Sequence, residues 1–115
     1  MADTSKPVYL KLRDIIAASI LDGQFAEGDI LPSVRAFAAE QHANPLTVAK
    51  AYQMFQDQGL VEVQRGVGMY VAKGATERLR TLERDDFLKN VWPPVLRQMQ
   101  RIGLSPANLL AGEEA

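Results

Sequence analysis

Apolar residues recur at helical spacing in three successive stretches of the first 60 residues. The first stretch begins after Pro7 and carries Tyr9, Leu12, Ile16 and Ile20 on one face. This period of three to four residues predicts an amphipathic helix that ends near residue 22, just before a glycine. A short apolar pair at residues 30–31 follows and is long enough for a strand of two or three residues.

The second and third helical stretches are separated by only about four residues. The second has Ser33 as its expected N-cap and ends near Gln41. The third has Asn44 as its N-cap and Pro45 at the first helical position, and it ends at Gly59, which suits the left-handed position after a helix. Two short helices joined by such a turn predict a helix-turn-helix.

The third stretch divides into an apolar face and a face without carboxylates. The face expected in the core consists of Val48, Ala51, Tyr52 and Phe55. The opposite face consists of Leu46, Thr47, Lys50 and Gln53, and no acidic residue precedes Asp57. Carboxylates would repel phosphates, so a face that lacks them fits a DNA-binding surface.

After the third helix the apolar pattern changes to a period of two. Residues 60–65 and 69–72 are predicted to form two strands, joined by a turn at residues 66–68. The order helix, short strand, helix, helix, hairpin is that of a winged helix-turn-helix, in which the third helix enters the major groove. The predicted fold is therefore mainly α with a small β wing.

Beyond residue 74 a second helical region carries an apolar stripe. The stripe consists of Leu88, Val91, Trp92, Val95, Leu96, Met99 and Ile102. It could fold onto residues 1–74 or pack against a second copy. We expect a second copy, because a dimer can read two half-sites. Residues 1–74 thus form a predicted DNA-binding domain and residues 75–115 a C-terminal helical dimerisation region.

Two proline signals divide this C-terminal region. Pro93 and Pro94 are expected to kink the helix or to split it after Trp92. Ser105 and Pro106 then match the start of a further short helix, with serine as its N-cap.

Composition narrows the possible functions without deciding among them. The 115 residues carry a net charge of −1, so any basic surface must come from the placement of residues in space. The absence of cysteine excludes disulfides and thiolate metal sites. No cofactor or metal is expected, and His42 is interpreted as structural or solvated. The N-terminus lacks a signal-peptide pattern and no apolar run could span a membrane, which predicts a cytoplasmic protein.

Four segments resemble the GntR family of bacterial transcription regulators. They are residues 7–9, 28–35, 44–52 and 65–71, and Gly-Asp-Ile-Leu-Pro-Ser-Val-Arg at 28–35 is the most specific. The resemblance covers about residues 7–72. The form of residues 44–52 and the short C-terminal region resemble the YtrA subfamily, whose members lack the large effector-binding domain of other branches. The resemblance also implies dimerisation through the C-terminal helices.

The resemblance implies a set of DNA-contacting residues. They are Ser33, Arg35, Asn44, Leu46, Thr47, Lys50, Arg65 and Gly66. Arginine can bind guanine through two parallel hydrogen bonds, so Arg35 is the expected base reader, and Leu46 is placed to touch a thymine methyl. Ser33, Asn44, Thr47 and Lys50 are expected to contact phosphates, with Asn44 as a second candidate base reader. Arg65 and Gly66 form the wing contact.

This sequence departs from the family pattern in the third helix. Many members carry arginines at the positions of Pro45 and Ala49, and both are absent here. Base recognition is therefore expected to depend heavily on Arg35 and the wing. The same departure, together with the acidic net charge, supports an alternative: a winged-helix module that binds protein or RNA.

We therefore expect a homodimeric, sequence-specific DNA-binding transcriptional regulator. It would bind an inverted repeat and act as a repressor by occluding a promoter. An enzyme is not expected, because no nucleophile–base pair, phosphate loop or metal cluster is evident in the sequence. A small-molecule effector is not evident either, and any such ligand is expected at the dimer interface or between the winged domain and the C-terminal region.

Overall fold

The computed structural model describes residues 6–112. The chain divides into two compact units, which we call the head, ending at Arg80, and the tail, beginning at Thr81. No helix among the described residues is long and apolar enough to cross a membrane. The winged helix-turn-helix fold predicted from the sequence is confirmed, with a C-terminal helical region after it.

The head is built on three helices, α1 (Val8–Leu21), α2 (Val34–Gln41) and α3 (Pro45–Asp57). Helix α3 packs against both α1 and α2, so it lies at the centre of the head. The apolar face predicted for α3 is confirmed, since all four of its residues are buried. Other buried side chains in this core include Leu12, Ile16, Ile20, Phe37 and Leu60.

The wing is an antiparallel hairpin of β1 (Val61–Gln64) and β2 (Gly68–Val71). Val61 lies opposite Val71, and Gln64 lies opposite Gly68. Each strand is shorter or shifted relative to the sequence prediction, because the turn occupies Arg65–Val67. The predicted short strand at residues 30–31 appears as a single bridge from Ile30 to Tyr70.

Both helices of the helix-turn-helix begin at the predicted caps. The Ser33 hydroxyl accepts a hydrogen bond from the Ala36 N–H at 3.1 Å, and Asn44 Oδ1 accepts one from the Leu46 N–H at 2.8 Å. The turn between the helices contains a left-handed residue, His42, with φ 53°. A side chain in this region strains the backbone, and glycine or asparagine is usually found there.

The C-terminal helices are α4 (Ala75–Asp86), α5 (Trp92–Arg101) and α6 (Pro106–Leu110). The helix does not split after Trp92, which was one of the two outcomes expected from Pro93 and Pro94, because α5 runs from Trp92 to Arg101. The irregularity precedes Trp92 as a π-helical turn, Phe87–Val91, in which the Trp92 N–H bonds the Phe87 carbonyl. Pro93 and Pro94 have no N–H to offer the preceding turn and their rings crowd its carbonyls, which accounts for the wider turn before them.

Candidate nucleic-acid interface

Arg35 lies in the first turn of α2 and is exposed. No hydrogen bond or ion pair joins its side chain to another residue in the part of the chain that the structure describes. The amino end of a helix carries a partial positive charge, so a cation is unfavourable there by about 0.3–1 kcal/mol. Arg35 is thus a free cation in an unfavourable position, and an anionic partner would remove that cost.

The start of α3 presents an apolar side chain to solvent. Leu46 is 80 % exposed, whereas Thr47 is half-buried. The Asn44 side chain already accepts the capping bond from Leu46, which leaves its amide NH₂ available to a partner. An isolated exposed leucine is ordinary. Leu46 lies in the first turn of α3, where an exposed apolar side chain is accessible to a partner.

Lys50 is held in place by an aromatic ring from α1. Its Nζ lies 4.0 Å from the centroid of the Tyr9 ring, which is within the range of a cation–π interaction. Lys50 nevertheless remains exposed. The ring therefore restricts the ammonium group to one region of the surface without neutralising it. The periodicity of α1 places Tyr9 on its apolar face and does not indicate this role, since the contact joins residues 41 positions apart.

The wing turn brings an arginine next to a glycine with unusual backbone geometry. Gly66 has φ +80°, and no atom lies within 4 Å of the place where a Cβ would be. Arg65 and Gly66 are both exposed. A backbone without a side chain can approach phosphates closely. The predicted wing contact is thus accessible in the structure.

The one acidic residue of β1 is paired inside the wing. The Tyr70 hydroxyl donates a hydrogen bond to Glu62 Oε2 at 2.7 Å. This bond and the adjacent carboxylate charge raise the pKa of Tyr70. Elsewhere, residues 41–56 and 63–76 contain no Asp or Glu. Residues 34–71 thus carry three cations, Arg35, Lys50 and Arg65, and three acids, Glu40, Asp57 and Glu62.

Tyr52 joins α3 to the segment that starts α2. Its hydroxyl donates a hydrogen bond of 2.7 Å to the Pro32 carbonyl, and its ring lies 6.0 Å from that of Phe37. Burial, with a smaller contribution from Glu40, raises the pKa of Tyr52 to about 12. Helical periodicity predicts Tyr52 in the core, which is confirmed, but it does not indicate the hydrogen bond. The local signal for the hydrogen bond is the presence of a tyrosine on a buried face, because a buried hydroxyl needs a hydrogen-bond partner.

The wing is hydrogen-bonded to the same segment. The Leu31 N–H donates to the Met69 carbonyl and the Val71 N–H to the Asp29 carbonyl, both at 2.9 Å. The chain from Asp29 to Pro32 thus contacts β2 on one side and α3 on the other. Arg35 lies three residues after Pro32, in the first turn of α2. The predicted DNA contacts of α2, α3 and the wing are in this way held on one connected framework.

A groove of about 360 Å³ lies between the start of α2 and the wing. Its lining includes Ile30, Pro32, Val63, Val67 and Met69. It lies wholly within the head. Its lining is largely apolar, so it offers no charged group to an anion.

The tail presents most of its apolar stripe to solvent. Leu88 is 57 % and Ile102 60 % exposed, and Val91 and Val95 are also exposed. Trp92 and Leu96 are half-buried, and only Met99 is buried. The rings of Phe87 and Trp92 stack with centroids 6.5 Å apart. Contiguous apolar surface of this kind usually marks an interaction site.

Comparisons with known proteins identify the family. Residues 8–71 match the model of the bacterial regulatory proteins of the gntR family. The chain belongs to the GntR family. It is 34 % identical to the uncharacterized HTH-type transcriptional regulator YhcF of Bacillus subtilis over 95 % of this chain and 88 % of that protein. The GntR-family match includes every residue predicted to contact DNA.

Two further similarities place the chain within the GntR family. It is 38 % identical to the HTH-type transcriptional repressor YtrA of Bacillus subtilis, over 66 % of this chain and 58 % of YtrA. A GntR family transcriptional regulator from Listeria monocytogenes has the same fold, with a TM-score of 0.75 and 28 % identity over 96 % of this chain and 95 % of that one. The protein is a YtrA-like, DNA-binding transcriptional regulator of the GntR family.

Proposed function

We propose that this regulator is a repressor that binds an inverted-repeat operator as a homodimer. Residues 1–74, which lie within the head, form the DNA-binding domain and recognise one half-site. Residues 75–115 form the dimerisation region. The observation that carries the proposal is the accessibility on the head of the unpaired Arg35, the exposed Leu46 and the wing arginine.

Each DNA contact follows from the chemistry of its side chain. Arg35 donates two hydrogen bonds to the O6 and N7 atoms of a guanine, the commonest specific contact in the major groove. Leu46 packs on a thymine methyl. Arg65 enters the adjacent minor groove, where the negative potential favours arginine, and Gly66 allows the close approach of the wing backbone.

The remaining contacts position the head on the phosphate backbone. Lys50, restricted by the Tyr9 ring, supplies charge. Ser33 and Thr47 supply hydroxyl groups and Asn44 supplies its amide NH₂. Phosphate contacts fix the register of a protein on DNA without reading sequence. Specificity therefore rests on Arg35, Leu46 and the wing.

The exposed stripe of the tail supports the dimer. Its members at the proposed interface are Leu88, Val91, Trp92, Val95, Leu96, Met99 and Ile102. Burial of apolar surface stabilises an interface by roughly 25 cal/mol per Å² removed from water. A second copy presents the same stripe, and a two-fold interface between identical surfaces is the commonest form of assembly. Two heads then face two half-sites that are related by symmetry.

The repressor role is supported by the similarity to YtrA of Bacillus subtilis, which is itself named a repressor. The proposed mechanism is steric. A dimer that occupies a promoter prevents polymerase from binding there.

In vitro selection from random duplex DNA tests this proposal. The full-length chain is incubated with the library at near-physiological salt, and the bound fraction is sequenced over several rounds. We expect an inverted repeat whose half-site centres lie about one helical turn, 10–10.5 base pairs, or a multiple of it apart. The selected duplex should also compete with RNA polymerase for a promoter that contains it.

Two results would count against the proposal. A chain that enriches no sequence and binds duplex DNA weakly would favour the alternative of a protein- or RNA-binding module. A selected site without internal symmetry would contradict the homodimer while leaving sequence-specific binding intact. The dependence of affinity on salt separates the cases, because phosphate contacts release counterions and give a steep negative slope.

A further inference from the structure

The groove between the start of α2 and the wing, which we call the α2–wing groove, lies between two proposed DNA contacts. Its α2 side includes Ser33, two residues before Arg35. Its wing side includes Val67, which directly follows Gly66. All of these residues belong to the head. The α2–wing groove is therefore continuous with both the helical part and the wing part of the proposed DNA-binding surface.

The lining of the α2–wing groove is apolar and accessible. Ile30 is 54 %, Val63 56 % and Val67 51 % exposed, and all three line it. None of the described residues that line the groove carries a charge. Accessible apolar side chains that lie together commonly mark an interaction site. This surface suits a neutral group of a partner better than an anionic one.

The pleat of the wing keeps its acidic residue out of the α2–wing groove. Val63 pairs with Met69 across the hairpin, and both line the groove. Glu62 pairs with Tyr70 instead. Successive side chains of a strand point to opposite faces of a sheet, so the Glu62 carboxylate lies on the other face of the wing. A nucleic-acid strand can thus approach the groove without meeting this carboxylate.

We propose that the α2–wing groove holds a deoxyribose of the operator backbone. Arg35 is proposed to read the major groove of DNA, and Arg65 to enter the adjacent minor groove. The backbone of one strand separates two adjacent grooves of a duplex, so that backbone crosses the protein surface between these two arginines. This inference rests on the proposed function, from which it takes both arginine contacts.

The chemistry of the backbone decides which of its parts fits the α2–wing groove. A phosphate is charged and would lose its hydration in an apolar groove without gaining a partner. The sugar between two phosphates is neutral, and in DNA its C2′ atom carries only hydrogens. In RNA the 2′-hydroxyl would lie against Ile30, Val63 and Val67, whose side chains offer no hydrogen-bond partner. The groove therefore favours deoxyribose over ribose.

A ribonucleotide scan of the operator tests this inference. The full-length chain is titrated with its selected duplex, in which each deoxynucleotide of one half-site is replaced in turn by a ribonucleotide. We expect affinity to fall about tenfold at one or two successive positions of one strand, and by less than about twofold elsewhere. Nucleotides with a 2′-fluoro group lack the hydroxyl, so at the sensitive positions they should cost less than about threefold.

Val63→Thr links the effect of the 2′-hydroxyl to the α2–wing groove. It keeps a β-branched side chain on the strand but adds a hydroxyl that can pair with the 2′-hydroxyl. The ribonucleotide penalty should therefore fall from about tenfold to about threefold. Val67→Thr should change the penalty in the same direction. Val8→Thr is the matched control, because Val8 is also 56 % exposed but lies on α1 outside the groove, and it should keep the wild-type penalty.

The outcomes distinguish this inference from the proposed function. A selected operator with no sensitive position leaves the regulator intact and overturns the deoxyribose site. A sensitive position whose penalty is unchanged in both Val63→Thr and Val67→Thr also overturns it, because the sugar then lies elsewhere. A loss of affinity on replacing thymine by uracil that depends on Val63 would place a base methyl in the groove instead. Failure to select any duplex overturns the proposed function and this inference together.

Discussion

Phe55 in the head and Phe87 in the tail show how differently the two units treat apolar side chains. Phe55 is fully buried, whereas Phe87 is 48 % exposed. The head buries most of the apolar faces of α1 and α3 and leaves Arg35, Lys50 and Arg65 exposed. The tail leaves apolar side chains accessible, among them Leu88 and Ile102. This difference fits the proposed division of roles, in which the head binds an anionic partner and the tail binds an apolar one.

Truncation of each phenylalanine gives the largest expected difference between the units. Phe55→Ala should lower the free energy of unfolding by about 3–5 kcal/mol, because it leaves a cavity in the core of the head. Phe87→Ala should lower it by less than about 1 kcal/mol in the monomer, since half of the ring is already in water. Denaturant titration at protein concentrations that favour the monomer measures both. Equal losses of unfolding free energy in the two variants would contradict the difference in burial between the head and the tail.

A charge placed in the stripe tests the tail separately from the head. Val95→Glu should weaken dimerisation by about 3 kcal/mol, because an unpaired carboxylate would be buried in the apolar interface. Its affinity for a single half-site should not change. Gln100→Glu adds the same charge at an exposed polar position of α5 and is the control. Sedimentation velocity reports the dimer, and a Val95→Glu chain that still dimerises like the control would contradict the assignment.

Removal of the free cation of α2 tests the head. Arg35→Ala should cost about 1–3 kcal/mol of specific binding and relax the preference at one base of each half-site. Lys50→Ala should instead weaken all sequences similarly and reduce the salt slope by about one. Competition binding with a panel of operator variants measures both effects. An Arg35→Ala protein with unchanged affinity and preference would show that another residue reads the base.

The Tyr52 hydroxyl gives the smallest expected effect, and it depends on pH. Because the pKa is raised from 10.0 to about 12 in the folded state, the neutral hydroxyl stabilises the fold fully below pH 10, and that stability is lost as pH rises through the folded pKa. The wild type should therefore lose about 1 kcal/mol more than Tyr52→Phe between pH 8 and pH 11. Below pH 10, Tyr52→Phe should be less stable by about 1 kcal/mol.

Denaturant titrations of both proteins at several pH values measure this difference. If the free energies of unfolding of wild type and Tyr52→Phe change with pH in parallel, the pKa of the Tyr52 hydroxyl is not raised in the folded state, which contradicts the prediction. The same variant also probes the interface. Loss of the hydrogen bond between Tyr52 of α3 and Pro32 should reduce the base preference at the Arg35 contact more than it reduces affinity for random DNA.

The sequence predicted the elements whose signals are local. The Ser33 and Asn44 caps, the apolar face of α3 and the change to a period of two all depend on residues within one turn or one strand. The positions of the predicted DNA-contacting residues follow from those elements. Their exposure on the head is what the structure adds.

The features that the sequence did not predict depend on distant residues or on a competition within one helix. The Tyr52–Pro32 bond joins positions 20 apart, and the Lys50–Tyr9 contact joins two helices. Periodicity predicts which face of a helix is buried, but it does not predict which groups on different elements contact each other. The sequence pattern also did not predict the position of the π turn. Pro93 and Pro94 have no N–H groups to donate to the preceding turn, so the helix is altered before Trp92 and not after it.

The stoichiometry of the protein–operator complex tests the central claim most directly. Sedimentation equilibrium of the full-length chain with its selected duplex measures the mass of the complex at several degrees of saturation. We predict two chains of 12.7 kDa per duplex, with no complex of one chain accumulating at half saturation. A complex of one chain per duplex, or two chains that bind independently, would contradict a dimer that joins two reading heads through its tails.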